Sequence, residues 1–296
     1  MEIRVLRYFL AIAREGSITA ASQQLHITQP TLSRQMKDLE EELGKKLFIR
    51  GSHNIRLTTE GFILRNRAEE IVTIADKTTA EFQAMEKTIA GDIYIGGGET
   101  LAVSLIGDLI AELRRDYPDI RYHLFSGNEA DVTEQLDRGL IDFGILVQPA
   151  DVTKYDCIHL PAEDIWGVVM RKDSHLAEKE SISKKDLVPL PLILSRQVLM
   201  TQSRGNVIFE WFGNSFNQLN IVTTFNLMYN AALLVRSGVG YAIGIDGIIA
   251  TERESDLCFR PLNPLVTSGL DLISKKYQAF TPAAELFLKK LTLRFG

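Results

Sequence analysis

Between Thr28 and Lys37 the chain reads TQPTLSRQMK, a run of hydrogen-bonding side chains set among apolar residues at helical spacing. Gln29, Thr31, Ser33, Arg34, Gln35 and Lys37 occupy the polar faces. Those near the start of the segment are of the types that read base edges in a major groove, Arg being suited to guanine and Gln to adenine.

Residues that read bases must be held on a rigid element, and the flanking pattern supplies one. Leu32, Met36, Leu39 and Leu43 recur at steps of four, three and four, which makes one buried stripe on a helix. Thr28 is placed to cap that helix, and Pro30 falls in its first turn, where a missing N–H costs nothing. A shorter helix precedes it, capped by Ser17, with small Ala20 and Ala21 permitting close approach and Leu25 and Ile27 closing its apolar side. Two short helices separated by so little form a helix-turn-helix. Leu6, Phe9, Leu10 and Ala13 predict a further amphipathic helix that completes a small core. Gly44 is placed to end the second helix of the pair. The run KKLFIRGSHNIRLTT then alternates around a turn, predicting a two-stranded wing over Leu47–Arg50 and Ile55–Leu57. Lys45, Lys46, Arg50 and Arg56 flank it and suit phosphates, which supply affinity without sequence information.

Charge is distributed to match. The 296-residue chain has a formal net charge of −5, yet residues 1–67 hold 11 Lys+Arg against 7 Asp+Glu, a net of +4 that leaves −9 for the remainder. At 45% hydrophobic residues the chain can bury more than one core, so two or three domains are expected. The N-terminus lacks signal-peptide features, and no apolar run approaches the ~20 residues of a membrane span, which leads to an expectation of a cytoplasmic protein without membrane partners. Cys157 and Cys258 are the two cysteines. They read as reduced thiols, with a redox pair as the alternative.

After Thr58 or Thr59, either of which can cap, no proline interrupts the chain up to Ala90. Leu64, Ala68, Ile71, Ala75, Thr78, Phe82, Met85 and Ile89 step four, three, four, three as a heptad seam, and a seam on an otherwise charged helix predicts a partner helix from a second subunit. Packing on its own body is the alternative. Beyond Gly91 the texture becomes α/β, with strands predicted at Ile93–Gly96, Ile120–Phe125 and Phe143–Val147 alternating with helices, a mainly parallel arrangement. A second series runs from Ile165–Met170 to Tyr241–Ile245, and strand Leu270–Lys275 with helix Pro282–Phe295 returns to complete the first. The turn Gly98-Glu99-Thr100 ends a strand and opens a helix, a position that suits a ligand and favours an anion, with a structural cap whose glycines permit a tight turn as the alternative. Catalytic and metal motifs are missing: there is no nucleophile with a base, no phosphate loop, and the five histidines show no metal-ligand spacing and no Cys companion, so no metal is expected.

Residues 17–61 resemble the LysR-type transcriptional regulators. Ser17, Ala20-Ala21, Leu25, Thr28-Gln29-Pro30, Leu32-Ser33, Leu39-Glu40, Leu43-Gly44, Leu47-Phe48, Arg50, Leu57-Thr58 and Gly61 all fall in that pattern, and the likeness extends at lower specificity along the whole chain. His53, Asn54 and Glu60 depart from it. The resemblance implies a winged helix-turn-helix DNA-binding domain at residues 1–58, a linker and dimerisation helix at 59–90, and at 91–296 a two-lobed α/β effector domain similar to periplasmic solute-binding proteins, with lobe I at 91–161 and 265–296 and lobe II at 162–264. It implies a homodimer or homotetramer on double-stranded promoter DNA, with contacts from Ser17, Thr28, Gln29, Pro30, Thr31, Ser33, Arg34, Lys37, Arg50 and Arg56. It implies no cofactor, but a small-molecule effector held between the lobes by Gly98, Glu99, Thr100, Gln148, Ser195, Thr201, Ser203 and Asn226. Arg196 and Arg204 would suit a carboxylate or other anion, although surface exposure explains either equally well. The competing reading is a small-molecule-binding or catalytic α/β protein whose N-terminal helices serve only assembly.

Overall fold

The structure is a computed structural model that describes residues 1–50, 55–84, 89–200, 206–251 and 254–296. It divides into two compact units, Met1–Glu86 and Lys87–Gly296. In the first, α1 (Ile3–Glu15), α2 (Ile18–Gln24) and α3 (Gln29–Leu43) are followed by strands β1 (Phe48–Arg50) and β2 (Ile55–Leu57) and helix α4 (Thr59–Ala84). Leu6, Phe9 and Ile12 from α1, Ala21 from α2, Leu32, Met36 and Leu39 from α3, Leu47 and Ala68 share one buried core. Each large side chain so buried is worth about 1.5–3 kcal/mol. The α1 stripe is rotated from the expected one: Val5, Leu6, Phe9 and Ile12 are buried, whereas Leu10 and Ala13 are only half-buried at its edge.

Ser17 caps α2 as predicted, accepting from the Ala20 amide at 3.3 Å. Thr28 occupies the cap position of α3 with an extended backbone, but its hydroxyl pairs with that of Thr31 at 2.7 Å and makes no cap bond. Helix α3 ends at Gly44 (φ 64°), and its last stripe residue, Leu43, is 38% exposed, so the buried stripe stops at Leu39. The wing is an antiparallel pair with Phe48 opposite Leu57 and Arg50 opposite Ile55. Its turn, including His53 and Asn54, lies outside the described residues.

The hydroxyl of Thr58 accepts from the Gly61 amide at 2.9 Å and starts α4. Gly61 is required here, since a Cβ would lie 2.2 Å from the Leu47 carbonyl oxygen. The predicted seam divides. Leu64, Ala68 and Val72 pack into the core of their own unit, and Arg7 of α1 forms an ion pair with Asp76. Ile71 and Phe82 of the same seam remain exposed, as do Ile63 and Ile74 beside it. Met85 lies outside the described residues, and Ile89 sits in a bend, not a helix.

The second unit holds two lobes. Lobe I contains β3 (Gly91–Gly97), α5 (Val103–Asp116), β4 (Ile120–Ser126), α6 (Glu129–Asp137) and β5 (Phe143–Val147), then the 17-residue strand β6 (Tyr155–Arg171). Lobe II continues with β7 (Ile182–Ser183), α7 (Lys184–Leu187), β8 (Pro191–Ser195), α8 (Arg196–Met200), α9 (Val207–Phe212), a 3-10 turn over Gly213–Gln218, β9 (Asn220–Phe225), α10 (Met228–Arg236), β10 (Tyr241–Ile245) and β11 (Leu257–Asn263). Strand β12 (Thr267–Lys275) and helix α11 (Pro282–Phe295) return to lobe I. Helix α9 gives way to that 3-10 turn at Gly213 (φ 55°).

The sheet order is β4-β3-β5-β12-β6-β10-β8-β9. Pairs β3/β4, β3/β5, β8/β9 and β8/β10 are parallel, as alternation predicts, but β12 runs antiparallel to β5 and β6, and β10 and β11 antiparallel to β6. Strand β6 belongs to both lobes: residues 155–165 pair with β12, and residues 166–171 with β10 and β11. Separate cores fill lobe I, around Phe143 and Phe287, and lobe II, around Trp211 and Phe212.

Candidate DNA face and effector cavity

In the first unit Thr28, Gln29, Pro30, Thr31, Arg34 and Lys37 are exposed together at the N-terminal half of α3, while Ser33 is half-buried. The Arg34 side chain is 83% exposed, with its guanidinium 3.9 Å from Asp38 one turn on; Lys37 stands 3.4 Å from Glu41. Such exposed pairs are worth a few tenths of a kcal/mol, so both cations are available to a nucleic acid. Ser17 is half-buried and its oxygen is engaged as the α2 cap, which leaves only its O–H to donate to a phosphate. Arg56 is exposed on β2; Arg50 ends β1, and its side chain lies outside the described residues.

Glu40, a member of the family pattern with no role legible in its spacing, joins α3 to the wing. Glu40 is 8% exposed, and its carboxylate accepts from Lys46 Nζ at 2.8 Å and from the amides of Leu47 and Phe48 at 2.8 and 3.4 Å. Burial pushes its pKa up, but the bonds from Lys46 and the two amides outweigh that and hold it below the usual carboxylate range. The signal was present in position: Glu40 follows Leu39 on the core side of α3, where a solvated carboxylate has no place.

In the second unit a cavity of about 550 Å³ opens between the lobes. Gly98 and Glu99 reach it from the end of β3, Gln148 from the end of β5, Ser195 from the end of β8 and Asn226 from the residue after β9. All of these are C-terminal ends of strands, the side on which open α/β sheets bind ligands. Apolar walls come from Trp166, Phe225, Ile243 and Ile245, strand residues that polar-motif reasoning passed over. Two bonds between described residues cross the cleft. Glu99 accepts from the Met228 amide at the start of α10, and Gln197 Nε2 donates to Glu129 at 3.1 Å.

Thr100 is a correction. It is 6% exposed and lies outside the cavity lining, its hydroxyl donating to Asp164 Oδ1 at 2.9 Å and accepting from the Ala102 amide at 3.1 Å. The opening of α5 is therefore stapled by its own threonine. Burial pushes the Asp164 carboxyl up, against the opposing bonds from Thr100 and the Leu101 amide. Thr201, Ser203 and Arg204 lie outside the described residues.

Both cysteines are free, Cys258 buried and Cys157 exposed. Desolvation of the Cys157 sulfur, with the charge and hydrogen bond of Asp271, pushes its thiol up to about 11, which disfavours the reactive thiolate. The expectation that no histidine has a cysteine companion is also corrected: Cys157 and His159 stand two residues apart on β6, with Asp271 of β12 beside them.

With this geometry in place, the comparisons decide the family. Residues 3–62 match the family described as "Bacterial regulatory helix-turn-helix protein, lysR family", and residues 86–295 match the "LysR substrate binding domain". The chain belongs to the LysR family. It is accordingly a DNA-binding transcriptional regulator with an effector-binding domain. It is 31% identical over 250 residues to the regulator BsdA of Bacillus subtilis, covering 82% of this chain and 83% of that one. It is 30% identical to the uncharacterized regulator YvbU of the same organism, covering 100% and 99%. Among solved structures, full-length CbnR complexed with its target DNA shares the fold at a TM-score of 0.72 and 21% identity, covering 99% of each chain. HinK from Pseudomonas aeruginosa gives a TM-score of 0.54 at 26% identity, covering 100% of this chain and 99% of that one. These relatives are named as transcriptional regulators, in keeping with a non-enzymatic role. No helix among the described residues is long and apolar enough to cross a membrane.

Proposed function

We propose that this LysR-family regulator acts in the cytoplasm, without catalytic activity, as a homo-oligomer on promoter DNA, and that its effector is a carboxylic acid with an apolar body. One observation carries the ligand class. Arg196 lines the cavity and is exposed, with no ion-pair partner among the described residues, whereas the three lining carboxylates are engaged: Glu99 by Met228, Glu129 by Gln197 and Asp151 by Thr153. Among the described residues Arg196 is the one lining cation, and beside Ser195 and over walls of Trp166 and Phe225 it complements one negative charge on an otherwise apolar molecule. Oligomerisation rests on Ile63, Ile71, Ile74 and Phe82, an apolar stripe left exposed on α4.

Trp166 provides the readout. Titration of the full-length protein with a panel of aromatic and aliphatic carboxylic acids should change its fluorescence, and the corresponding amides should bind more weakly. Arg196→Gln should cost the ~1.5–3 kcal/mol of a charge-assisted bond, or about 10- to 150-fold in affinity. Equal binding of acids and amides would refute the carboxylate assignment. DNA binding is tested separately by gel shift: specific, salt-sensitive retention of the protein's own upstream region is expected, and indifference between that fragment and random DNA would overturn it.

A further inference from the structure

A second site stands on the strands that join the lobes. Cys157 and His159 lie two residues apart on β6 and so share one face of the sheet, and Asp271 is the register partner of His159 on β12. The sulfur, one ring nitrogen and one carboxylate oxygen all lie within 4.8 Å of one another. Asp271 is 3% exposed, and the partners described for its carboxylate are His159 Nδ1, the Cys157 thiol and Gln148 Nε2 at 2.9 Å, with no Lys or Arg among the described ion pairs. Buried carboxylates are ordinarily matched by a cation. The His159 side chain is 77% exposed, so the cluster is open to solvent.

We propose that Cys157, His159 and Asp271 bind a borderline divalent cation of the Zn²⁺ class, with water in the fourth position. One thiolate, one imidazole and one carboxylate are the donors such ions prefer, and three protein ligands leave a tetrahedral ion one open place. Mg²⁺ and Ca²⁺ are disfavoured, since they require more oxygen ligands than the cluster supplies. Binding releases the Cys157 thiol proton to solvent, the proton that His159 Nδ1 shares with Asp271 passes by way of solvent to Nε2, and two metal–ligand bonds replace that hydrogen bond. Gln148 extends the consequence. Its amide touches both His159 and Asp271, and the same residue lines the effector cavity, so its Nε2 donor must turn away when a cation arrives. Metal occupancy is thereby a second input to the domain that senses the small molecule.

The test uses full-length, tag-free protein stripped with a chelator and titrated with Co²⁺. One Co²⁺ per chain is expected, with the near-ultraviolet sulfur-to-cobalt charge-transfer band and the intense visible bands of a tetrahedral ion, all bleached by added Zn²⁺. Cys157→Ser should abolish the charge-transfer band. His159→Ala, at a solvent-exposed side chain that the fold does not need, should weaken binding at least ~10-fold, the lower bound seen even for outer-shell partners. Circular dichroism identical to wild type establishes that both variants are folded. A wild-type protein without the charge-transfer band, variants that bind Co²⁺ as tightly as wild type, or bands that Zn²⁺ fails to displace would each overturn the assignment.

Discussion

Replacing Glu40 by alanine should loosen the wing without changing any exposed residue of the N-terminal half of α3. The carboxylate is 8% exposed and holds three donors. Its Lys46 partner is 76% exposed, so that pair contributes no more than ~1 kcal/mol. The Phe48 amide at 3.4 Å is a weak bond. The Leu47 amide at 2.8 Å is the large one: it is buried, and in Glu40→Ala it loses its partner at a cost of about 1–3 kcal/mol. The sum is about 1–4 kcal/mol for the first unit. Trp166 and Trp211 both lie in the second unit, so fluorescence would miss the change; calorimetry and hydrogen exchange at the Leu47 amide would read it. The pH dependence gives an independent check. The folded-state pKa of Glu40 lies below the unfolded value, so its stabilisation is complete above the ordinary carboxylate range and is lost as pH falls through and below it. Glu40→Gln should flatten that acid limb. A cost under ~0.5 kcal/mol for Glu40→Ala with unchanged Leu47 exchange would refute the claim that this carboxylate ties helix to wing.

Arg34→Ala should preserve the fold and remove ~1–3 kcal/mol of base discrimination, read as a loss of preference for the specific fragment in a gel shift. Ile74→Glu, at a side chain 41% exposed, should lower the mass measured by light scattering without altering helix content, and an unchanged mass would remove the α4 stripe as an assembly surface. Thr100→Val should behave as a structural lesion, leaving Asp164 without its hydroxyl donor and lowering thermal stability, while carboxylate affinity per folded molecule stays unchanged.

The first unit was legible because its rules are local. A four-three-four stripe, a serine cap and a terminating glycine need only neighbours in sequence, and Leu32, Met36, Leu39, Ser17 and Gly44 behave accordingly. Legibility failed where a second element decides. Leu64 and Ala68 fit a heptad, yet α1 lies close enough to take them, which leaves Ile71 and Phe82 of that heptad exposed together with Ile63 and Ile74. Thr100 carries a hydroxyl suited to a ligand, but Asp164, far along the chain, claims it. In the cavity the strand-end polar residues Gln148, Ser195 and Asn226 were reached through the family resemblance, whereas Trp166 and Ile243 were invisible, because an apolar strand residue facing a cleft has the same type and spacing as one facing a core. Cys157 and His159 were hidden differently: their spacing means little until β12 brings Asp271 across.

The course of β6 explains how one cleft can sense a ligand. Residues 155–165 are paired into lobe I and residues 166–171 into lobe II, so the lobes are joined through a continuous ladder, and the register shift between Gly269 and Leu270 of β12 falls near the crossing. A side chain at Gly269 would meet Gln148, its Cβ lying 2.5 Å from Oε1, which leaves Gln148 packed between the bulge and the cavity. Against this ladder the cleft is held by only two described polar bonds, Glu99 to the Met228 amide and Gln197 to Glu129. Bonds of this kind to charged groups contribute about 1.5–3 kcal/mol each. A ligand at a hundred times its Kd supplies ~2.7 kcal/mol. The two quantities are of one size, so an effector in the cavity can shift the balance of lobe closure, and no larger rearrangement of the sheet is required for the domain to respond.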